Sequence, residues 1–108
     1  MRVLGAILLA CLTFATPATA GSPAQHNYNA SVIRHVFKGY GDQAVRVAWC
    51  ESRLEVWAQN GQYLGLFQMG SHERATYGHG PDAWSQARAA WRYFKATGCD
   101  WSPWSCRP

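Results

Sequence analysis

Apolar residues recur at helical spacing in three stretches of the chain, separated by polar or glycine-rich segments. Val32, Ile33, Val36, Phe37 and Tyr40 fall on one stripe, with Asn29 or Ser31 as the capping residue and Gly39 and Gly41 as stops. Asp42 is placed to cap a second helix running to about Leu54, unusually apolar through Ala44, Val45, Val47, Ala48 and Trp49. A last helix follows Pro81, a residue suited to a first helical turn, and its stripe is Trp84, Ala87, Ala90, Trp91 and Phe94, up to Gly98. Between the second and last helices the period changes. Asn60-Gly61 marks a turn, and Gln62 to Gln68 alternates loosely, with glycines that let the backbone approach a strand or ligand closely. Gly70-Ser71 then opens a short helix that closes at Tyr77-Gly78.

This pattern predicts one mostly α domain over residues 29–108 with a short β-turn or hairpin region. The beginning of the chain reads differently. Arg2, an apolar run from Val3 to about Phe14, and Ala18-Thr19-Ala20 ahead of Gly21 form the layout of a secretory signal peptide over residues 1–20, too short to span a bilayer. Leu8-Leu9-Ala10-Cys11 is similar to a lipid-attachment box, but so short an apolar core before Cys11 favours release over anchoring. Residues 21–28 are polar, contain Pro23 and show no apolar period, and so read as a flexible leader to the domain.

Removing residues 1–20 leaves 88 residues, room for a single domain near the lower limit for a self-supporting core. A cross-link would help such a core. Cys50, Cys99 and Cys106 remain, an odd number, so at most one intramolecular pair forms and one thiol is left over. Loop-closure entropy gives about 4 kcal/mol for a Cys50–Cys106 bridge and about 2.5 kcal/mol for Cys99–Cys106, which makes the longer loop the more useful staple. Without Arg2 there are nine Lys and Arg against six Asp and Glu. The small excess is scattered and makes no basic stripe, which argues against nucleic acid and fits work near an anionic surface such as a bacterial wall. His72, His79 and Cys99 match no common zinc spacing, so no metal or cofactor is expected. Six Trp and five Tyr can fill a small core and also stack on sugar faces.

The candidate chemistry centres on Glu51. Helical spacing puts it on one face with Ala44, Val47 and Ala48, at the end of an apolar stripe and ahead of the glycine-rich segment. A carboxyl in water, with a pKa near 4.3, is only about 2% protonated at pH 6, whereas burial against apolar neighbours favours the protonated form a proton donor needs. One further helical turn would add Glu55 on the same side, repelling the charged form further. Arg53 points elsewhere.

Cys50-Glu51-Ser52, then Gly65-Leu66-Phe67-Gln68-Met69, then a Trp-rich helix and a terminal Trp104-Ser105-Cys106 resemble the small secreted transglycosylase-like domains of the lysozyme superfamily. The chain is similar both to soluble lytic transglycosylases and to the catalytic domain of resuscitation-promoting factors, over about residues 29–106. The resemblance implies a lysozyme-like α+β fold with a cleft, a Cys50–Cys106 disulfide, and Glu51 as the catalytic acid that protonates a glycosidic oxygen. It also implies substrate contacts from Gln68, Met69 and Tyr63, with Ser52 and Tyr77 as further candidates, and leaves Cys99 a spare thiol. The implied partner is the glycan strand of peptidoglycan, cut between N-acetylmuramic acid and N-acetylglucosamine by a monomer at the cell wall.

Related goose-type lysozymes carry an acid directly after the equivalent of Met69, where this chain has Gly70. Glu73, three residues further, could substitute, but an acid at the start of a short helix is more often a first-turn partner for the helix dipole. With one well-placed carboxyl, the economical chemistry is lytic transglycosylation, in which the sugar's own 6-hydroxyl closes an anhydro ring and no water is needed. The alternatives are a muramidase-type hydrolase, which pairs two carboxyls, and a secreted wall-binding or signalling module that keeps the groove without turnover.

Overall fold

The computed structural model describes residues 21–108, so the predicted signal peptide and Cys11 lie outside the described residues. Four helices and a two-stranded hairpin follow one another: α1 (Pro23–Val36), α2 (Gly41–Ser52), β1 (Gln59–Asn60), β2 (Tyr63–Leu64), α3 (Ser71–Tyr77) and α4 (Ala83–Ala96). Helix α1 packs on α2 and α4, and α3 packs on α4. No helix among the described residues is long and apolar enough to cross a membrane.

The flexible leader over residues 21–28 is not what the structure has. Helix α1 starts at Pro23, six residues before Asn29, with Ser22 as its N-cap accepting from the Gln25 amide at 3.1 Å. Its first two turns lack an apolar stripe because polar contacts hold them. His26 pairs with Glu55, and the buried Asn29 side chain donates to the Leu54 carbonyl at 2.9 Å. Pro23 fits the first turn, where its missing N–H leaves no bond unmade.

Helix α2 buries Ala44, Val47 and Ala48 as their spacing predicts. Asp42 stands inside its first turn instead of capping it, and ion-pairs with Arg34 of α1 at 3.0 Å. The helix stops at Ser52, two residues short of Leu54. There the Ser52 hydroxyl captures the Leu54 amide at 3.1 Å, and Arg53 and Leu54 both take left-handed conformations, with φ of 55° and 61°. Glu55 therefore does not continue the Glu51 face, and the predicted like-charge repulsion between the two acids is replaced by the pairing of Glu55 with His26.

Phe37 sits at the centre of the core, with Phe67, Trp91, Phe94 and Trp101 rings all around it at centroid distances of 5.2–5.8 Å. Ile33, Val47, Leu66, Ala87 and Ala90 complete the apolar interior. Fully burying one such large side chain contributes about 1.5–3 kcal/mol. The irregular tail closes over this cluster. Trp101 and Trp104 are buried, their indole N–H groups satisfied by Gln43 Oε1 at 2.9 Å and by the Phe67 carbonyl at 3.0 Å. The Cys50–Cys106 disulfide then ties the tail to α2, with a Cα–Cα distance of 6.0 Å, and Cys99 is a free, exposed thiol.

Candidate active site

Three elements meet at Glu51: the end of α2, the segment after β2, and the tail. Glu51 is half-buried next to Cys50, and its Oε2 accepts the Cys106 backbone N–H at 3.0 Å. The disulfide thus brings the tail close enough for its backbone to orient the acid.

Gly65-Leu66-Phe67-Gln68-Met69 folds as a tight tongue. Leu64 and Met69 exchange both backbone hydrogen bonds at 3.1 Å, and Gln68 N–H closes the turn on the Gly65 carbonyl at 3.0 Å. Leu66 and Phe67, at its tip, go into the core. Gly65 has φ of 88°, and a Cβ there would lie 2.5 Å from Gln86 Oε1, so both backbone conformation and space require glycine. Gln86, buried on α4, holds the tongue: Oε1 accepts the Leu66 N–H at 2.8 Å while Nε2 donates to the Val56 and Gly80 carbonyls. Arg74 clamps the other side, donating through Nη1 to the carbonyls of Gln62 and Met69.

Between tongue, hairpin and tail lies a pocket of about 370 Å³ whose wall includes Glu51, Tyr63, Gln68, Met69, Glu73, Tyr93 and Trp104. Of the sequence-predicted site residues, Glu51, Tyr63, Gln68 and Met69 come together here. Tyr63 is exposed, and Met69, almost fully buried, contributes from beneath. Gln68 is anchored through Nε2 to the Ala58 and Gly65 carbonyls at 2.9 and 3.1 Å, which leaves its Oε1 as the free end of the amide.

Ser52 and Tyr77 are not in the pocket wall. Ser52 is buried, and its hydroxyl donates toward the Ala48 and Leu66 carbonyls while accepting from Leu54. Its work is to join the end of α2 to the tongue, with its one hydrogen already engaged and the side chain buried away from the pocket. Tyr77 stacks on Tyr93 with ring centroids 5.4 Å apart, behind the pocket.

Two pocket residues carry more weight than their sequence positions suggested. Tyr93 lies beside the apolar stripe of α4, in the neighbouring row Gln86-Ala89-Tyr93, where period-3.6 reading finds it only if a second face is allowed to be buried. Burial pushes its phenol pKa up, and the nearby Glu73, Tyr77 and Tyr63 add to the shift. Glu73 occupies the place left open by Gly70: a Cβ on residue 70 would come within 2.8 Å of Glu73 Oε1. A carboxylate three residues downstream thus fills the space beside residue 70, and the pocket contains two acids. Among the described residues, no three His, Cys, Asp or Glu side chains converge as a metal-binding set.

Compared with protein-family models, with curated proteins and with solved structures, the chain matches none.

Proposed function

We propose that this protein is an exported enzyme that cuts the β-1,4 bond between N-acetylmuramic acid and N-acetylglucosamine in peptidoglycan, and that the pocket is part of a lysozyme-like cleft. The observation that carries the proposal is Glu51, a half-buried carboxyl fixed by the Cys106 amide in the wall of a pocket shared with Tyr63, Tyr93 and Trp104. Aromatic faces suit the apolar faces of sugar rings, and the Gln68 Oε1 is a free acceptor for an acetamido N–H.

In this reading Glu51 in its protonated form donates to the glycosidic oxygen as the bond breaks. The resulting carboxylate takes the proton of the muramyl 6-hydroxyl, whose oxygen closes on the anomeric carbon to give a 1,6-anhydro product. Glu73 in the same pocket favours a second reading, hydrolysis, in which it activates water against the same carbon.

One assay separates these. Purified peptidoglycan is incubated with the secreted protein, and released muropeptides are weighed by mass spectrometry. Anhydro ends, lighter by one water, support transglycosylation; reducing ends support hydrolysis; binding to the sacculus without release identifies a wall-binding module. Glu51→Gln is expected to reduce release by at least about 100-fold while the protein still sediments with the wall. Glu73→Gln leaves the anhydro route intact and abolishes the hydrolytic one. Full activity in Glu51→Gln would overturn the assignment of the acid.

A further inference from the structure

Gly21, the residue directly after Ala18-Thr19-Ala20, sits with its nitrogen against both oxygens of the Glu55 carboxylate. Its nitrogen lies 3.0 Å from Oε1 and 2.9 Å from Oε2 of the same carboxylate. A peptide N–H here shares its one hydrogen between the two oxygens. A protonated α-amine has three hydrogens and a full charge, and a carboxylate gripping it with both oxygens is the pairing that charge favours. His26 Nε2 also approaches Oε2, at 2.6 Å, and a Cβ on residue 21 would lie 3.2 Å from that nitrogen, so a side chain there would make His26 give by a few tenths of an ångström.

We propose that cleavage after Ala20 creates the N-terminus of the working protein at Gly21, and that the α-ammonium so freed locks onto Glu55 as a latch. Hydrolysis of the Ala20–Gly21 peptide bond by a membrane-bound signal peptidase consumes one water. Ala20 leaves as a carboxylate, and the Gly21 nitrogen, with an α-amine pKa of about 7.7–8.0, takes up a proton at neutral pH. In the uncleaved chain the same nitrogen is an uncharged amide. The latch joins the start of α1 to the turn behind Glu51, where Glu55 N–H bonds the Ser52 carbonyl and the Glu55 carbonyl accepts from Ala58. Removal of the leader would therefore add a full charge to this contact and tighten the segment between the acid and the hairpin. The latch stands independently of the glycan chemistry proposed above.

The test uses the full chain, expressed with its own leader in a secreting bacterial host. Intact mass of the released protein is expected to correspond to residues 21–108. Inserting one glycine between Ala20 and Gly21 moves the ammonium off its seat, and Glu55→Gln removes its counter-charge. The insertion is expected to lower Tm by about 4–8 °C and Glu55→Gln by more, because it also breaks the His26 pair. The two together lower Tm by little more than Glu55→Gln alone, because the moved ammonium then has no partner left to lose. A released protein beginning at another residue overturns the proposal, and so does an inserted glycine that leaves Tm unchanged. If Glu55→Gln is not secreted, the insertion alone decides.

Discussion

The backbone N–H of Cys106 and the carboxylate of Glu51 are 55 residues apart in sequence and 3.0 Å apart in the folded chain. The neighbouring Cys50–Cys106 disulfide makes that approach possible. A bridge that stabilises the domain by restricting the unfolded chain thus also sets the position of the candidate acid.

Replacing both cysteines by serine is therefore expected to lower stability by about 4 kcal/mol and to free the tail that supports Glu51. Denaturant unfolding with and without reductant measures the first effect. Muropeptide release by folded protein, at a temperature where the variant remains native, measures the second and is expected to fall as well.

Ser52 looked like a ligand contact in the sequence and is a buried junction in the structure. Ser52→Ala leaves the Leu54 N–H and the Leu66 carbonyl short of a partner, and a destabilisation of about 1–3 kcal/mol is expected in urea unfolding. Unchanged stability with weakened wall binding would restore the ligand role.

Gln86 makes three hydrogen bonds from a nearly inaccessible position: Leu66 N–H to its Oε1, and its Nε2 to the carbonyls of Val56 and Gly80. Gln86→Leu keeps the volume and loses all of them, with an expected loss of about 2–4 kcal/mol. Hydrogen exchange at the Leu66 amide should accelerate more than exchange within the α1–α2 pair, because the tongue is released first.

His79 predicts a pH dependence. Burial, assisted by the Arg74 charge, lowers its pKa from 6.5 to about 4, and its Nε2 is buried without a hydrogen-bond partner. The unfolded chain takes up a proton on this group as pH falls below 6.5, whereas the folded chain takes it up only near 4. Folding stability is therefore expected to decline across that interval and level off beneath it. Urea unfolding at about pH 7 and about pH 4.5 should show a smaller difference between the two conditions in His79→Leu than in the parent.

The helices were legible because their signal is local. Apolar residues three and four apart mark a buried face wherever that face ends up, and Ala44, Val47, Ala48, Ala87, Ala90 and Phe94 are all inside. The Asn60-Gly61 turn was equally plain, since Gly61 takes a positive φ in the two-residue link between β1 and β2. The start of α1 was missed because its partners, Leu54 and Glu55, lie 25 and 29 residues from Asn29 and His26. Polar bonds at that separation leave no period to read.

The sequence by itself determined which residues are apolar, which helices they form, and which acid follows a cysteine at the end of a buried stripe. Tertiary structure alone decided that Ser52 faces inward, that Tyr93 and Glu73 join Glu51 in one pocket, and that Glu55 turns away to meet Gly21. The division has a physical origin. Spacing along a helix fixes a side chain's direction relative to its near neighbours, whereas a pocket is defined by groups brought together across tens of residues, and packing of the aromatic core and the disulfide sets those distances.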